Sequence, residues 1–170
     1  MRPEQEQDYV DYVKARIPRL HRVAYLLCGD GDRADDAVQT ALTTLYVRWS
    51  RMHHVTNLDA YVHTMVVRAC LSEQRRAWSR VLLRDREPEL ADNADPLVEE
   101  RLLLRAALRR LPERQRTVLV LRFLCDLSVA EVAELLGRAE GTVKSQTSHG
   151  LRSLRALLDG QRPASLGPRS

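Results

Sequence analysis

Apolar residues recur at intervals of three or four along most of this chain, and that spacing restricts the fold to helices. The first such row comprises Val13, Ile17, Leu20, Ala24 and Leu27. Positions three and four apart lie on one face of an α-helix. No alternation of apolar and polar residues is long enough to predict a sheet, and aromatic residues make up only 5% of the chain. The sequence therefore predicts an all-α fold.

Residues 77–97 interrupt the helical pattern and predict a linker between two small domains. This segment holds two prolines, and its five acidic side chains outnumber its three basic ones. Proline and short polar residues favour turns over helices. We therefore expect a first helical domain over 1–76, a flexible acidic linker over 77–97, a second helical domain over 98–158 and a disordered tail over 159–170.

Breaks within the first domain divide it into helices. Pro18 lacks a backbone N–H and crowds the preceding turn, so we expect a kink there or a new helix that begins at this residue. Gly29 suits a helix C-cap, and Asp30 or Asp32 suits the N-cap of the next helix. Residues 51–57 are expected to form a loop, and a further helix is expected to follow and to end at a pair of arginines.

A helix-turn-helix is predicted within the second domain. Ser128 and Glu131 have the spacing of a capping box, in which hydroxyl and carboxylate bind free N–H groups at a helix start. Gly137 suits the left-handed conformation that often ends a helix. After a short turn, a second helix is expected from about Thr142. Its packing row is expected to comprise Val143, Leu151, Leu154 and Leu158, with Thr147 in one place of that row.

The opposite face of this second helix carries hydrogen-bonding and basic side chains, namely Lys144, Ser145, Gln146, Ser148, His149 and Arg152. Such a face suits the major groove of DNA. Residues 98–170 carry 13 basic and 8 acidic side chains, and Lys and Arg bind phosphates. DNA binding is therefore the favoured interpretation, and a helical hairpin with a solvated outer face is the alternative.

Motifs of other function classes are missing from the sequence. It has neither a phosphate-binding GxxxxGK[ST] loop nor a GxSxG nucleophile motif, so we expect no enzyme activity. The five His and three Cys show no zinc-ligand spacing, so we expect no metal and no cofactor. No apolar run approaches the ~20 residues that span a bilayer. We therefore expect a cytoplasmic protein without a signal peptide or a membrane partner.

Two groups of motifs resemble the extracytoplasmic-function (ECF) sigma factors of bacterial RNA polymerase. In the second domain they are LPERQR at 111–116, VLVLRF at 118–123, LSVAEVA at 127–133 and EGTVKS at 140–145. In the first domain, DRADDAVQ at 32–39, followed by Leu42, Leu45 and Tyr46, resembles the helix by which these factors bind core polymerase. The resemblance spans roughly residues 8–158. It implies a subunit that binds core polymerase and directs promoter recognition and transcription initiation.

The resemblance also implies roles for individual side chains. Contacts with the clamp helices of the largest polymerase subunit are expected from Asp32, Asp35, Asp36, Gln39 and Leu42. Recognition of the minus-ten element is expected from Arg51, His53, His54, Asn57, Tyr61, Arg68, Arg75 and Arg76. Recognition of the minus-thirty-five element is expected from Thr142, Lys144, Ser145, Gln146, His149 and Arg152. The flap region of polymerase is a further expected contact, and the resemblance leaves open whether an anti-sigma factor also binds.

Some positions depart from the family pattern. Gln146 and His149 stand where members often carry Arg, so the DNA affinity or the sequence preference is expected to differ. Ala69 stands where the minus-ten helix often has Asn. Two other interpretations are kept: a stand-alone helix-turn-helix regulator would bind duplex DNA tightly without polymerase, and an adaptor would bind polymerase but no DNA.

Overall fold

The computed structural model describes residues 1–79 and 96–161, and every regular element in these ranges is helical. The chain divides into two compact units, residues 1–89 and 90–170. The all-α fold with two domains, predicted from the sequence, is therefore confirmed. Most of the predicted linker (80–95) and most of the predicted tail (162–170) lie outside the described residues.

The first unit is built from three long helices and a short connecting one. Helix α1 spans Pro3–Cys28, α2 spans Gly31–Arg48 and α3 spans Leu58–Ser79, and a 3-10 helix at Trp49–His54 follows α2. Each of the three α-helices packs against the other two. Their shared core holds buried side chains at helical spacing, among them Leu27, Val38, Leu45, Val62 and Val66.

The break between α1 and α2 is set by two caps. Gly29 has a φ of 69°, and its N–H donates to the carbonyl of Tyr25 at 2.8 Å. The N-cap of α2 is Asp30 rather than Asp32, because the Asp30 carboxylate accepts from the backbone N–H groups of Asp32 and Arg33 at 2.8 and 3.3 Å. The predicted C-cap at Gly29 is confirmed. Of the two candidate N-caps, Asp30 is the one that caps α2.

Pro18 does not begin a new helix, because α1 continues through it as one element. A proline within a helix costs about 3 kcal/mol, since it removes one backbone hydrogen bond and crowds the preceding turn. Val13 and Leu20 are buried on either side of Pro18, which is itself exposed. The packing of this apolar face against α2 and α3 outweighs the local cost.

The first unit is more helical than the sequence indicated. The 3-10 helix extends to His54, so most of the expected loop at 51–57 is helical, and buried Met52 anchors it to the unit. Helix α3 reaches Ser79, beyond the predicted end at the arginine pair. Residues 77–79, which we assigned to the linker, therefore belong to α3.

Within residues 96–161 the second unit has four α-helices and one π-helical turn. Helix α4 spans Pro96–Arg110, α5 spans Glu113–Leu119, α6 spans Val129–Leu136 and α7 spans Glu140–Gln161. The π-helical turn, Val120–Leu124, directly follows α5. Helices α4, α5 and α6 each pack on α7. The residues at 96–97 and 159–161, expected in the linker and the tail, are helical.

The packing face of α7 differs from the predicted row. Leu151, expected in that row, is 40% exposed, whereas its neighbour Gly150 is buried. A Cβ atom on Gly150 would lie 3.1 Å from the side chain of Leu119 and 3.4 Å from that of Gln115, both on α5. The missing side chain therefore lets α7 approach α5 closely.

Replacing Gly150 by Ala is expected to lower the free energy of unfolding by up to about 2 kcal/mol, because overpacking costs about 1–3 kcal/mol and the higher helix propensity of Ala offsets about 1 kcal/mol of it. The matched control is Gly141→Ala in the same helix, where a Cβ atom meets nothing within 4 Å. This control is expected to be neutral or slightly stabilising. Urea unfolding followed by circular dichroism measures both, and equal stability of the two variants would contradict the prediction.

Candidate functional site

A groove of about 450 Å³ lies between α1 and α2 in the first unit. Three of the five residues predicted to bind polymerase line it: Asp35, Gln39 and Leu42. The remaining lining side chains are Tyr9, His21, Val38, Thr43 and Tyr46. Because Asp35 and Tyr46 are eleven residues apart on α2, the groove has one polar end and one aromatic end.

Contacts from α1 hold both ends of this groove. Nδ1 of His21 lies 3.1 Å from Oδ1 of Asp35, and the Tyr9 hydroxyl donates to the carbonyl oxygen of Leu42 at 2.8 Å. The rings of Tyr9 and Tyr46 meet edge to face, with centroids 5.1 Å apart. Sequence reasoning missed Tyr9 and His21, because no sequence pattern shows which side chains of α1 face α2.

The other two predicted polymerase residues, Asp32 and Asp36, are exposed on α2 and do not line the groove. They are four residues apart and therefore lie on one face of the helix. The predicted residues thus form two neighbouring groups on α2, one along the groove and one beside it.

The 3-10 helix exposes three of the side chains predicted for minus-ten recognition: Arg51, His53 and His54. The two imidazole rings lie side by side, with centroids 4.9 Å apart and planes inclined at 58°. Between them and Arg51, Met52 turns inward and is buried. The short helix is therefore anchored on one side and presents basic and aromatic groups on the other.

Two further residues of this set already have partners within the unit. The side-chain carbonyl of Asn57 accepts from the backbone N–H of Ala60 at 3.1 Å, so this oxygen caps α3. The Tyr61 hydroxyl accepts from Nη1 of Arg48 at 3.2 Å. The amide nitrogen of Asn57 has no such role in the cap and can donate to a ligand. Arg48 joins the surface although the sequence did not single it out.

Basic side chains continue along α3. Tyr61, Arg68 and Arg75 are spaced seven residues apart, so they share one face at intervals of about 10 Å. Both Arg68 and Arg75 are exposed. Arg76 is exposed beside them, and its Nη1 lies 2.9 Å from a carboxylate oxygen of Glu73. This face has the form of a basic stripe that begins close to the 3-10 helix.

Helices α6 and α7 form the predicted helix-turn-helix in the second unit. The Ser128 hydroxyl accepts from the N–H of Glu131 at 3.1 Å and caps α6. The reciprocal bond from the Glu131 carboxylate is not formed among the described residues, so only half of the expected capping box is present. Gly137 has a φ of 63°, as predicted for the end of α6. Helix α7 begins at Glu140, two residues before the expected start.

The exposed face of α7 carries Thr142, Ser145, His149 and Arg152, at intervals of three and four residues, with Lys144 beside them.

Gln146 differs from these residues in its burial. It is half buried, and its Oε1 atom is shielded from solvent without a hydrogen-bond partner among the described residues. Gln146 shares the side of α7 that holds buried Val143 and Gly150. The expectation that Gln146 lies on the exposed face is therefore wrong.

The described residues show neither a metal-binding cluster nor a membrane-spanning helix. No group of three or more His, Cys, Asp or Glu side chains in residues 1–79 and 96–161 could hold a metal ion. No helix in the described part of the chain has both the length and the apolar character needed to cross a membrane.

Comparison with known proteins gives two domain families and several relatives. The Sigma-70 region 2 family matches residues 12–80, and the Sigma-70 region 4 family matches residues 101–154. The ECF RNA polymerase sigma factor SigM of Mycobacterium tuberculosis is 35% identical over 142 residues, which cover 82% of this chain and 71% of SigM. The RNA polymerase sigma-E factor of Streptomyces coelicolor is 33% identical, covering 89% of this chain and 86% of that protein.

A solved structure has the same fold. The sigma factor RpoE of Bartonella quintana, crystallised in complex with the anti-sigma factor NepR, superposes with a TM-score of 0.63 at 24% identity. The superposition covers 92% of this chain and 99% of RpoE. The region 2 match lies in the first unit and the region 4 match in the second, so the two families account for both units. The chain belongs to the ECF sigma factors of RNA polymerase, which bind core polymerase and direct it to promoters.

Proposed function

We propose that this sigma factor binds core polymerase through α2 and reads its promoter with two separate surfaces, one on each unit. The observation that carries the polymerase contact is the groove on α2. There Asp35 and Gln39 offer polar groups next to the half-buried side chain of Leu42. Carboxylates beside an apolar cleft suit a partner helix that presents basic and apolar side chains, as the clamp helices of polymerase would. Asp32 and Asp36 extend this contact along α2.

Minus-ten recognition is assigned to the 3-10 helix and to α3. An unpaired base needs aromatic or planar groups on which to stack, and the exposed rings of His53 and His54 supply them. Arg51 and the amide of Asn57 add hydrogen-bond donors nearby. Along α3, Arg68, Arg75 and Arg76 are suited to follow the phosphates of a single strand, with Tyr61 at the start of the stripe.

Minus-thirty-five recognition is assigned to the exposed face of α7. Lys144 and Arg152 are suited to bind phosphates, which position the helix on the duplex. Thr142, Ser145 and His149 are short or planar hydrogen-bonding side chains that suit base edges in the major groove. Gln146 is left out of this proposal because its oxygen is buried.

The second unit also exposes apolar side chains beside the helix-turn-helix. Phe123 is 55% exposed and Leu124 is 40% exposed, both in the π-helical turn. Large apolar side chains in solvent are typical of partner surfaces. We assign these two residues to the contact with the flap region of polymerase. As a transcription initiation factor, the chain is proposed to have no catalytic activity of its own and to act in the cytoplasm, together with polymerase.

In-vitro transcription with purified core polymerase on a promoter library tests this assignment. Addition of the chain is expected to produce start sites above the background of core polymerase alone. Double replacement of His53 and His54 by Ala is expected to reduce promoter opening by about 10- to 100-fold, because base stacking contributes about 1–3 kcal/mol per base. Binding to core polymerase is expected to be unchanged.

Ser50→Ala is the matched control, since Ser50 is an exposed residue of the same 3-10 helix. Normal promoter opening by the double His variant would remove these rings from minus-ten recognition. Tight, specific binding of duplex DNA by the chain without polymerase would instead favour a stand-alone regulator.

A further inference from the structure

Three side chains join α1 to the first turn of α3. Tyr12 and Arg16 are one helical turn apart on α1, and both bind the carboxylate of Asp59. The Tyr12 hydroxyl donates to Oδ1 of Asp59 at 2.6 Å, Nε of Arg16 donates to the same oxygen, and Nη2 of Arg16 lies 3.3 Å from Oδ2. The Arg16 guanidinium also covers the Tyr12 ring, with Cζ 3.9 Å from its centroid. We call these three residues the Asp59 cluster.

The pKa values are consistent with these contacts. Hydrogen bonds from Arg16 and then from Tyr12 lower the pKa of the Asp59 carboxyl, so it is ionised at neutral pH. Burial, and then the hydrogen bond to Asp59, raise the pKa of the Tyr12 hydroxyl, so it stays protonated and donates. A charged acceptor with two donors, one of them a planar fork, has a well-defined position.

The same face of α1 also contacts the other end of the segment that runs from the start of the 3-10 helix to Asp59. Trp49 is the first residue of the 3-10 helix, and its ring lies 5.4 Å from the Tyr12 ring between centroids. One turn earlier on α1, Tyr9 meets Trp49 edge to face at 5.3 Å. The exposed residues Arg51, His53, His54 and Asn57 all lie between Trp49 and Asp59 in sequence. Helix α1 therefore fixes both ends of the segment that carries them.

The Asp59 cluster lies on the side of α3 away from the basic stripe. Asp59 precedes Tyr61 by two residues, which is a rotation of about 200° around the helix. A ligand on the stripe side can therefore reach Tyr61 and Arg68 while Asp59 stays bound to α1. The cluster can set the position of the surface without belonging to it.

The contribution of the cluster to stability is expected to be small. The Arg16 and Asp59 side chains are 37% and 63% exposed, and exposed ion pairs typically contribute about 0–1 kcal/mol. Yet the cluster links residues 43 and 47 positions apart in sequence and defines where α3 begins relative to α1. Loss of the cluster is thus expected to change the position of α3 relative to α1 more than it changes the free energy of unfolding.

We propose that Tyr12, Arg16 and Asp59 are positioning residues for minus-ten recognition, which hold the 3-10 helix and the start of α3 at the spacing that base selection requires. This inference rests on the proposed role of the 3-10 helix as the minus-ten reading surface. The three residues are not proposed to touch DNA. They act through His53, His54 and Asn57, whose separation from α3 they fix.

The test uses two substitutions that keep the shape of the side chain: Tyr12→Phe removes the hydrogen bond to Asp59, and Asp59→Asn keeps an acceptor oxygen but removes its charge. Each variant is assembled with core polymerase and transcribes a promoter library randomised in the minus-ten element, with a constant minus-thirty-five element. Discrimination between the preferred base and the others is expected to fall by about 3- to 10-fold, because solvent exposure of the pair keeps this charged hydrogen bond near the strength of a neutral one. Affinity for core polymerase is expected to stay the same.

Asp11→Asn is the matched control, because it likewise removes the charge of a carboxylate that accepts a hydrogen bond on α1. Asp11 accepts from Nε2 of Gln7 at 2.9 Å within the same helix and contacts neither the 3-10 helix nor α3 in this bond, so the base preference is expected to be unchanged. The double variant Tyr12→Phe with Asp59→Asn is expected to lose no more discrimination than Asp59→Asn alone, because Asp59→Asn already weakens the one contact that Tyr12→Phe removes. Arg16→Lys, which keeps the charge without the planar fork, is expected to lie between the wild type and Asp59→Asn.

Three outcomes overturn the inference, and the first two distinguish its failure from that of the proposed function. If the double Ala variant of His53 and His54 alters base preference while Tyr12→Phe and Asp59→Asn do not, the positioning role fails and the reading surface stands. If none of these variants alters base preference, the proposed minus-ten surface fails, and the inference fails with it. A variant with a lowered melting temperature but an unchanged base preference also overturns the inference.

Discussion

Replacing Asp35 and Asp36 together by Ala is expected to weaken binding to core polymerase by about 100-fold or more. Hydrogen bonds to charged groups contribute about 1.5–3 kcal/mol each, and two such losses correspond to about two to four orders of magnitude in affinity. The carboxylates are adjacent on α2 and point about 100° apart. They can therefore meet two different cationic groups, one inside the groove and one beside it.

The fold of the double variant is expected to be intact. Both carboxylates are exposed, and substitutions at such surface sites usually change stability by less than about 0.5 kcal/mol. Asp35 loses its 3.1 Å contact with His21, which is a surface pair with a small contribution. Co-purification with core polymerase measures the first effect, and circular dichroism with thermal unfolding measures the second.

The matched control replaces Glu6 and Asp8 by Ala. Both are exposed on α1, neither lines the groove, and the change in net charge is the same. An equal loss of polymerase binding in this control would attribute the effect to charge alone. Retained co-purification of the Asp35 and Asp36 variant would remove these residues from the interface.

The parts of the fold that the sequence predicted well depend on local interactions. Gly29 ends α1 and Gly137 ends α6, because each adopts the left-handed conformation that glycine tolerates best. Ser128 caps α6 through a backbone N–H only three residues away. Asn57 could have been predicted as the cap of α3 by the same rule, since Asn is a preferred N-cap residue. Sequence reasoning gave it a role in base reading instead.

The prediction of the packing face of α7 was wrong for a geometric reason. The predicted row advanced by four residues from Val143 through Thr147 to Leu151, and each such step exceeds a full turn by about 40°. Leu151 is therefore about 80° away from Val143 around the helix, whereas Gly150, seven residues on, is only about 20° away. The apolar character of Leu151 favoured the wrong position, and the same error moved Gln146 to the exposed face.

The groove and the Asp59 cluster depend on contacts between distant segments, so no local pattern predicts them. Tyr12 and Asp59 are 47 positions apart, and Tyr9 and Leu42 are 33 apart. Periodicity identifies which face of α1 is apolar. It does not identify which polar side chain at the edge of that face meets α2 and which meets α3. Those pairings require the packing of all three helices.

Replacing Lys144 and Arg152 together by Ala is expected to reduce transcription from promoters that depend on a minus-thirty-five element by at least about 10-fold. Both side chains are exposed on the face of α7 assigned to the major groove. Each phosphate contact by a charged donor contributes about 1.5–3 kcal/mol. Promoters whose recognition depends mainly on the minus-ten element are expected to be affected much less, because that surface lies on the other unit.

The salt dependence separates phosphate binding from other roles of these two side chains. Each phosphate contact releases counterions and contributes about 0.9 to the slope of log affinity against log salt concentration. When the double variant is assembled into holoenzyme, the slope of log affinity for promoter DNA against log salt concentration is therefore expected to be shallower by about 2. Base preference within the minus-thirty-five element is expected to persist, because phosphate contacts carry no sequence information.

The control for this variant is Arg101→Ala with Arg110→Ala. These arginines are exposed on α4 rather than on α7, and their removal changes the net charge by the same amount. Their loss is expected to leave the slope within about 0.5 of the wild-type value, since neither is proposed to contact a phosphate. A slope unchanged by the loss of Lys144 and Arg152 would mean that α7 does not follow the DNA backbone. Such a result would favour the adaptor interpretation, in which polymerase is bound and this helix stays in solvent.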